Sequence, residues 1–339
     1  MHQHSMSLFG ANEQVLLHAS QHKHLSLCRV TEHHKDRYVT LNQEGFFEAK
    51  VSGKWMYQTS NPKDFPTVGD FVLAEEKQDL FIIHDIIPRT SILERKVAGL
   101  TSDTQLIATN IDYIVICQSM NENFNTRRLE RYLALSWSSG ATPIILLTKK
   151  DLSQDPESLI YQAKSVSIGV DIITCTDQHE DGFKELESIL VPHKTYVFIG
   201  SSGVGKSTVV NHLLKQEKLL TQETGNHAKG RHTTTSRTLF LTKEGSIVID
   251  TPGMRELQLD SADMDTTFED ITELAKSCKF NDCTHEKEPG CAVREHIEQV
   301  YLDIHRYHNY QKMKKELKYI EQRQNYLERQ RNKSKHKKM

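Results

Sequence analysis

Nine residues past the middle of the chain, Gly200-Ser201-Ser202-Gly203-Val204-Gly205-Lys206-Ser207-Thr208, fit the pattern G-x-x-x-x-G-K-[ST]. Thr195–Ile199 before them reads as a buried strand, and Val209–Leu214 after them as an opening helix. Strand, glycine-rich loop and helix in that order commit this part of the chain to an α/β domain whose loop wraps phosphates. Small residues let the backbone come close, and its N–H groups converge at a helix N-terminus. In that reading Gly200 to Gly205 and Thr208 cradle the nucleotide. Lys206 lies on the β- and γ-phosphates, and the Ser207 hydroxyl ligates Mg²⁺.

A second apolar strand, Thr142–Leu147, ends in Thr148-Lys149-Lys150-Asp151. A strand ending in N-K-x-D reads guanine: the Asp accepts hydrogen bonds from the base N1–H and exocyclic amine, and the Lys stem packs along the ring. Thr148 stands at the Asn position; it keeps one hydroxyl and loses the amide's paired donor and acceptor. Asp151 therefore carries most of the discrimination. The strand Ile172–Cys175 leads into Thr176-Asp177, a loop placed to close over the base.

The Mg²⁺ side follows. Thr221–Arg237 is rich in Thr, His and Gly and is expected to be a mobile segment ordered by γ-phosphate. Thr234 is the first choice to complete the Mg²⁺ shell, with Thr233 and Thr235 beside it. The strand Ser246–Ile249 ends in Asp250-Thr251-Pro252-Gly253, which supplies a carboxylate near Mg²⁺ and a Gly253 N–H for the γ-phosphate. Met254 follows, where a glutamine would orient the attacking water. His232 is the best substitute for that task and His227 the second. Asp151 precedes Lys206 in the chain, the reverse of the usual order. Each motif caps its own strand, so a circularly permuted sheet accommodates both.

The flanks read differently. Before residue 100, Leu27–Val30, Tyr38–Leu41, Phe46–Val51, Phe71–Glu75 and Phe81–Ile87 are short strands broken by Gly and Pro, suggesting a small closed barrel, OB-like rather than SH3-like. Tyr38, Phe46, Phe47, Trp55 and Tyr57 are candidate stacking groups for RNA or else barrel core. After residue 263, Cys278, Cys283, His285 and Cys291 supply three thiolates and an imidazole, a filled tetrahedral zinc set. A helical region from Glu298 becomes strongly basic between Lys312 and Lys338. The whole chain carries a formal charge of −2, so a basic end implies an acidic body and a polyanionic partner such as RNA. Six cysteines in 339 residues make no disulfide framework and fit a reducing cytosol. No apolar run is long enough to span a membrane. The expected layout is therefore multidomain: barrel 1–100, permuted P-loop GTPase domain 101–262, and α-helical zinc domain 263–339.

Val68-Gly69-Asp70-Phe71-Val72, Pro88-Arg89, the Thr148–Asp151 motif, the phosphate loop, Gly230-Arg231-His232-Thr233-Thr234, Asp250–Gly253 and the zinc quartet occur in that order. In this the chain resembles, over nearly its whole length, the circularly permuted GTPases dependent on the small ribosomal subunit, the RsgA or YjeQ/YloQ group. The resemblance implies a cytoplasmic, monomeric GTPase that binds the small subunit and its rRNA near the decoding centre, late in assembly. It implies GTP hydrolysis stimulated by the subunit, one structural zinc on the quartet, Mg²⁺ with GTP, and His232 aiding hydrolysis. Thr148 departs from the family's usual Asn. The alternative reading is an RNA-binding assembly chaperone whose nucleotide site is a passive switch.

Overall fold

The computed structural model describes residues 6–35, 37–59, 61–78, 80–96, 104–215, 237–251 and 262–336. Its first strands are β1 (Ser26–His34), β2 (Arg37–Asn42), β3 (Gly45–Val51), β4 (Phe71–Lys77) and β5 (Leu80–Ile86). They run in the order β1-β2-β3-β5-β4, and β4 returns to pair with β1. β3 and β5 are parallel and the other neighbours antiparallel. This is the expected OB-like closed barrel. Cys28, Val30, Tyr38, Ala49, Val72, Ala74, Phe81 and Ile83 fill it. Of the candidate stacking aromatics, Tyr38 is core and Phe47 and Trp55 pack against it, whereas Phe46 and Tyr57 stand exposed. Met6, Phe9, Ala11 and Val15 close one end against Leu41, Phe71, Leu73 and Ile87. Val15 belongs to a helix, Glu13–Ser20, whose first turn is capped by Asn12.

A hairpin unforeseen in the sequence follows: β6 (Ile92–Lys96) pairs with β7 (Thr104–Thr109). Asp70 holds it to the barrel. Its buried carboxylate accepts from Arg89 at 2.7 and 2.8 Å, from the Thr109 hydroxyl at 2.6 Å and from the Thr67 N–H at 2.8 Å. Gly69 permits this approach: with φ +97°, a Cβ there would lie 2.1 Å from the Thr109 carbonyl oxygen.

The next strands are β8 (Tyr113–Ser119), β9 (Thr142–Thr148), β10 (Asp171–Thr174), β11 (Thr195–Ile199), β12 (Thr238–Leu241) and β13 (Ile247–Asp250). They lie in the order β10-β9-β8-β11-β13-β12, all parallel except β12. Because a parallel sheet is covered on both faces, β8, β9 and β11 are buried along nearly their whole length. Ile114 and Ile116 face one layer, with Leu129 and Leu133 of helix Thr126–Ser138 and Ala163 of helix Pro156–Val166. Val115 and Cys117 face the other, with Val209 and Leu213 of helix Lys206–Lys215. The first three strands in the chain thus form one half of the sheet, and β11, carrying the phosphate loop, is inserted at its centre.

One rung makes the two sheets continuous: β12 pairs with β1 at Thr238 and Glu32. Beside it Arg29, 1% exposed, donates to the carbonyls of Phe9, Gly69 and Asn110 and to the Thr195 hydroxyl, and stacks 4.7 Å over Phe71. Burial, partly offset by Asp112 and Asp70, brings its guanidinium down to about 10. The C-terminal region consists of helices Met264–Thr267, Glu269–Ala275, Ala292–Glu298 and Ile304–His336. The last is about 50 Å long. It is fixed by Arg306, which donates to Glu130 at 2.6 Å and to both oxygens of Asp270 at 2.8 Å, and by Arg131, which pairs with Glu316 at 2.7 Å. Among the described residues no helix is long and apolar enough to cross a membrane.

Candidate functional site: a nucleotide cleft and a metal cluster

The loop Gly200–Gly205 leaves the fully buried strand β11 and enters helix Lys206–Lys215. Gly200 has φ +146°, and a Cβ there would meet the Cys117 carbonyl oxygen at 2.4 Å, so only glycine passes this close to β8. Val204 is buried beneath the loop; Ser202, Gly203, Ser207 and Thr208 are exposed at its mouth. Lys206 Nζ lies over the loop, 2.7 Å from the carbonyls of Gly200 and Ser201. Burial lowers its pKa from the ordinary lysine range. The Ser201 hydroxyl is buried without a hydrogen-bond partner among the described residues. A loop with an unsatisfied hydroxyl, a half-buried ammonium and a helix N-terminus has the chemistry a polyphosphate needs.

The Thr148–Asp151 segment lies against this loop although Thr148 and Val204 are 56 positions apart in sequence. Thr148, 2% exposed, donates its hydroxyl to the Val204 carbonyl at 2.5 Å, with the Gln118 carbonyl at 3.3 Å. Lys149 adopts a left-handed backbone, φ +57°, and its Nζ reaches the Gly203 carbonyl at 2.7 Å. Lys150 is exposed, and its N–H binds the Cys175 carbonyl at 3.2 Å. Asp151 is exposed, and its Oδ1 accepts from the Thr176 hydroxyl at 2.5 Å. That hydroxyl is itself set by the Gln178 N–H at 3.2 Å. The sequence pointed to Thr176 as part of a loop over the base; its direct hold on the Asp151 carboxylate becomes visible only in three dimensions.

Asp250 ends β13, beside the strand that carries the phosphate loop, with Thr238 of β12 opposite it. His232, Thr234 and Gly253 lie outside the described residues, as do His227, Thr233, Thr235 and Met254.

Far along the chain, the ligand atoms of Cys278, Cys283, His285 and Cys291 all lie within 4.8 Å of one another. Cys278 and Cys291 sulfurs are 3.9 Å apart, and His285 Nδ1 is 3.6 and 3.4 Å from them. Tetrahedral zinc, with Zn–S about 2.3 Å and Zn–N about 2.0 Å, sets such pairs about 3.8 and 3.5 Å apart. His285 has φ +64°, and its carbonyl accepts from Tyr307 at 2.8 Å, which ties the cluster to the long helix. Burial, then the charge of Lys314, lowers the pKa of His285, favouring the neutral imidazole that a metal requires. Burial opposes ionisation of Cys278, but the N–H groups of Val293 and Ala292 and the neighbouring thiols outweigh it, so its pKa falls. The cluster could hold a metal such as zinc.

The sequence profile of the RsgA GTPase family matches residues 86–260. The chain is 46% identical to Small ribosomal subunit biogenesis GTPase RsgA 2 of Lactiplantibacillus plantarum, over 86% of this chain and 84% of that one. The chain belongs to the RsgA GTPase family. RsgA 1 of Oceanobacillus iheyensis is 43% identical over 88% of this chain and 87% of its own length. A profile described as 50S ribosome-binding GTPase matches residues 195–326, beginning at the strand that would come first in an unpermuted chain. The crystal structure of YloQ, described as a circularly permuted GTPase, superposes with a TM-score of 0.63 at 28% identity, over 88% of this chain and 96% of that one. YjeQ from Thermotoga maritima shares the fold, with a TM-score of 0.65 at 24% identity, over 86% and 98% of the two chains. The permuted order inferred from Asp151 and Lys206 is thus the order for which YloQ is described.

Proposed function

We propose that this chain binds GTP in the cleft between the phosphate loop and the Thr148–Asp151 segment and hydrolyses it to GDP and phosphate. Lys206 neutralises the β- and γ-phosphates, Ser201 and the loop N–H groups bind phosphate oxygens, and Asp151, held by Thr176, accepts from guanine. Lys149 lays its stem along the base. Thr148 acts from below, by fixing the Val204 carbonyl, and not on the base edge. Ser207 and Thr234 would hold Mg²⁺, with the Asp250 carboxylate beside that shell, and the ion's charge would offset that of the phosphates. His232 positions the attacking water, and the Gly253 N–H meets the γ-phosphate. The metal cluster holds structural zinc, since four protein donors leave no open position.

The protein acts, in this reading, on the small ribosomal subunit during late maturation, in the cytoplasm and as a monomer. The subunit's rRNA raises turnover. The observation that carries the proposal is the joining of two sequence-distant motifs by the Thr148–Val204 and Lys149–Gly203 hydrogen bonds. Exposed Phe46 and Tyr57 on the barrel and exposed Lys312, Lys314, Lys315 and Lys318 on the long helix suit an RNA surface. GTP and ATP hydrolysis are to be measured with and without purified small subunits, for the wild type and Lys206→Ala. GTP-selective turnover, raised by subunits and lost in the variant, is expected. Subunits that leave turnover unchanged would remove the ribosome as activator and favour the passive-switch reading.

A further inference from the structure

Two arginines bond to neighbouring residues of β7, Gln105 and Leu106. Arg95 lies on β6 opposite Gln105, and its Nε and Nη2 lie 3.2 and 3.0 Å from Gln105 Oε1. Arg237 immediately precedes β12, and its Nη1 donates to the carbonyl of the neighbouring Leu106 at 2.7 Å. Burial, and then the positive charge of Arg95, brings Arg237 down to about 10. Among the described residues no carboxylate pairs with either guanidinium. Glu94, which adjoins Arg95, is taken by Lys63 at 2.6 Å. Arg89, Arg131 and Arg306, by contrast, each hold a carboxylate. Both Arg95 and Arg237 are only half-buried, so solvent reaches them.

A guanidinium carries five N–H donors in a planar fork. Among the described residues these two spend three contacts on neutral acceptors. Partly desolvated forks on neighbouring residues of β7, with no carboxylate partner among the described residues, match the charge and geometry of a phosphate.

We propose that Arg95 and Arg237 together bind one phosphate group of an RNA backbone, where the chain enters β12. The proposal rests on the reading of this chain as a GTPase of the small ribosomal subunit. An open, half-exposed pair suits a phosphodiester, whose chain must continue past the site on both sides. The position gives the contact a consequence. Thr238, next to Arg237, is the residue opposite Glu32 of the barrel and opposite Asp250 of β13. An RNA phosphate held at Arg237 therefore fixes the strand that lies between the barrel and Asp250.

The test is binding of the full-length protein, with a non-hydrolysable GTP analogue, to purified small subunits across a range of salt. Each phosphate contact contributes about 0.7–0.9 to the slope of log affinity against log salt. Arg95→Gln and Arg237→Gln are each expected to lower the slope by about that amount. The double variant should fall no further than either single one, because one phosphate is shared, and Arg237→Lys should keep the slope. Arg95 is half-exposed, so its variant reports on binding in a folded protein. Unchanged affinity and slope in Arg95→Gln and in the double variant would overturn the inference. So would a double variant that loses two contacts. Inorganic pyrophosphate serves as the free-anion probe: if the variants lose its binding but hold subunits normally, the site takes a small anion and the RNA assignment falls. A wild type that fails to bind subunits would sink the underlying reading as well, and is seen before any variant is made.

Discussion

The hydroxyl of Thr148 donates to the carbonyl of Val204, joining the end of β9 to the floor of the phosphate loop. The residue that departs from the guanine motif is thus engaged from within, 2% exposed. Thr148→Val keeps the shape and removes the donor, leaving the buried Val204 carbonyl without it at a cost of about 1–2 kcal/mol. GDP affinity is expected to fall roughly 5- to 30-fold, with Thr148→Ser close to wild type. Titration with a fluorescent GDP analogue measures this; a Val variant that binds as the wild type does would mean that the loop needs no tether.

The Arg306 cluster joins the GTPase domain to the long helix. Burial pushes the Glu130 carboxyl above its ordinary range, with Arg306 opposing the rise. Arg306→Ala leaves Glu130 and Asp270 facing each other without their cation, and is expected to cost about 3–5 kcal/mol. Arg306→Ala with Glu130→Gln removes the stranded charge and should recover part of the loss. Urea unfolding of the single and double variants checks this; equal stabilities in the two would show that Glu130 is not the source of the cost.

For the metal cluster, one zinc per chain is expected from elemental analysis of purified protein. Cys291→Ala should lose the metal and unfold at lower temperature, because Cys291 also caps helix Ala292–Glu298 through the Arg294 N–H. A variant that retains full zinc would remove Cys291 from the ligand set.

Glu288 accepts from the Thr284 hydroxyl and N–H and from the N–H groups of Glu286 and Lys287; the Thr284 hydroxyl, then its own N–H and those of Thr284 and Lys287, lower its pKa to about 2. A depressed carboxylate stabilises the fold fully above its unfolded pKa of about 4.5 and loses that contribution as pH falls toward 2. The difference in melting temperature between the wild type and Glu288→Gln should therefore be as large at pH 5 as at pH 7. A difference that stays constant as pH falls from about 5 to about 3 would indicate an ordinary carboxylate.

Residues whose chemistry is local were legible in the sequence. The phosphate loop, the metal quartet and the five barrel strands each declare themselves within a short window of residue types. The β6–β7 hairpin did not, because Glu94-Arg95-Lys96 shows no apolar alternation and its pairing is with residues further along. Arg29 was also illegible: an arginine in a strand reads as exposed, and its acceptors at Phe9, Gly69, Asn110 and Thr195 are scattered through the sequence. The Gly69-Asp70 and Pro88-Arg89 pairs were visible as motifs, yet their purpose, an ion pair whose carboxylate also takes the hairpin's Thr109 hydroxyl, needed coordinates. Tyr38 could not be sorted from Phe46 by residue type, since only the pleat decides which faces inward.

The rung between Glu32 and Thr238 bears on modularity. An OB barrel at the start of a chain invites excision or exchange as a cassette. Here, cutting the chain after the barrel would strip β12 of its partner and turn it into a bare strand edge, open to pairing with other molecules. It would also remove Arg29 from Thr195, at the root of the strand that bears the phosphate loop. The nucleotide-binding half is therefore not a freestanding unit, and a shortened protein made to isolate it should aggregate rather than behave as a minimal enzyme.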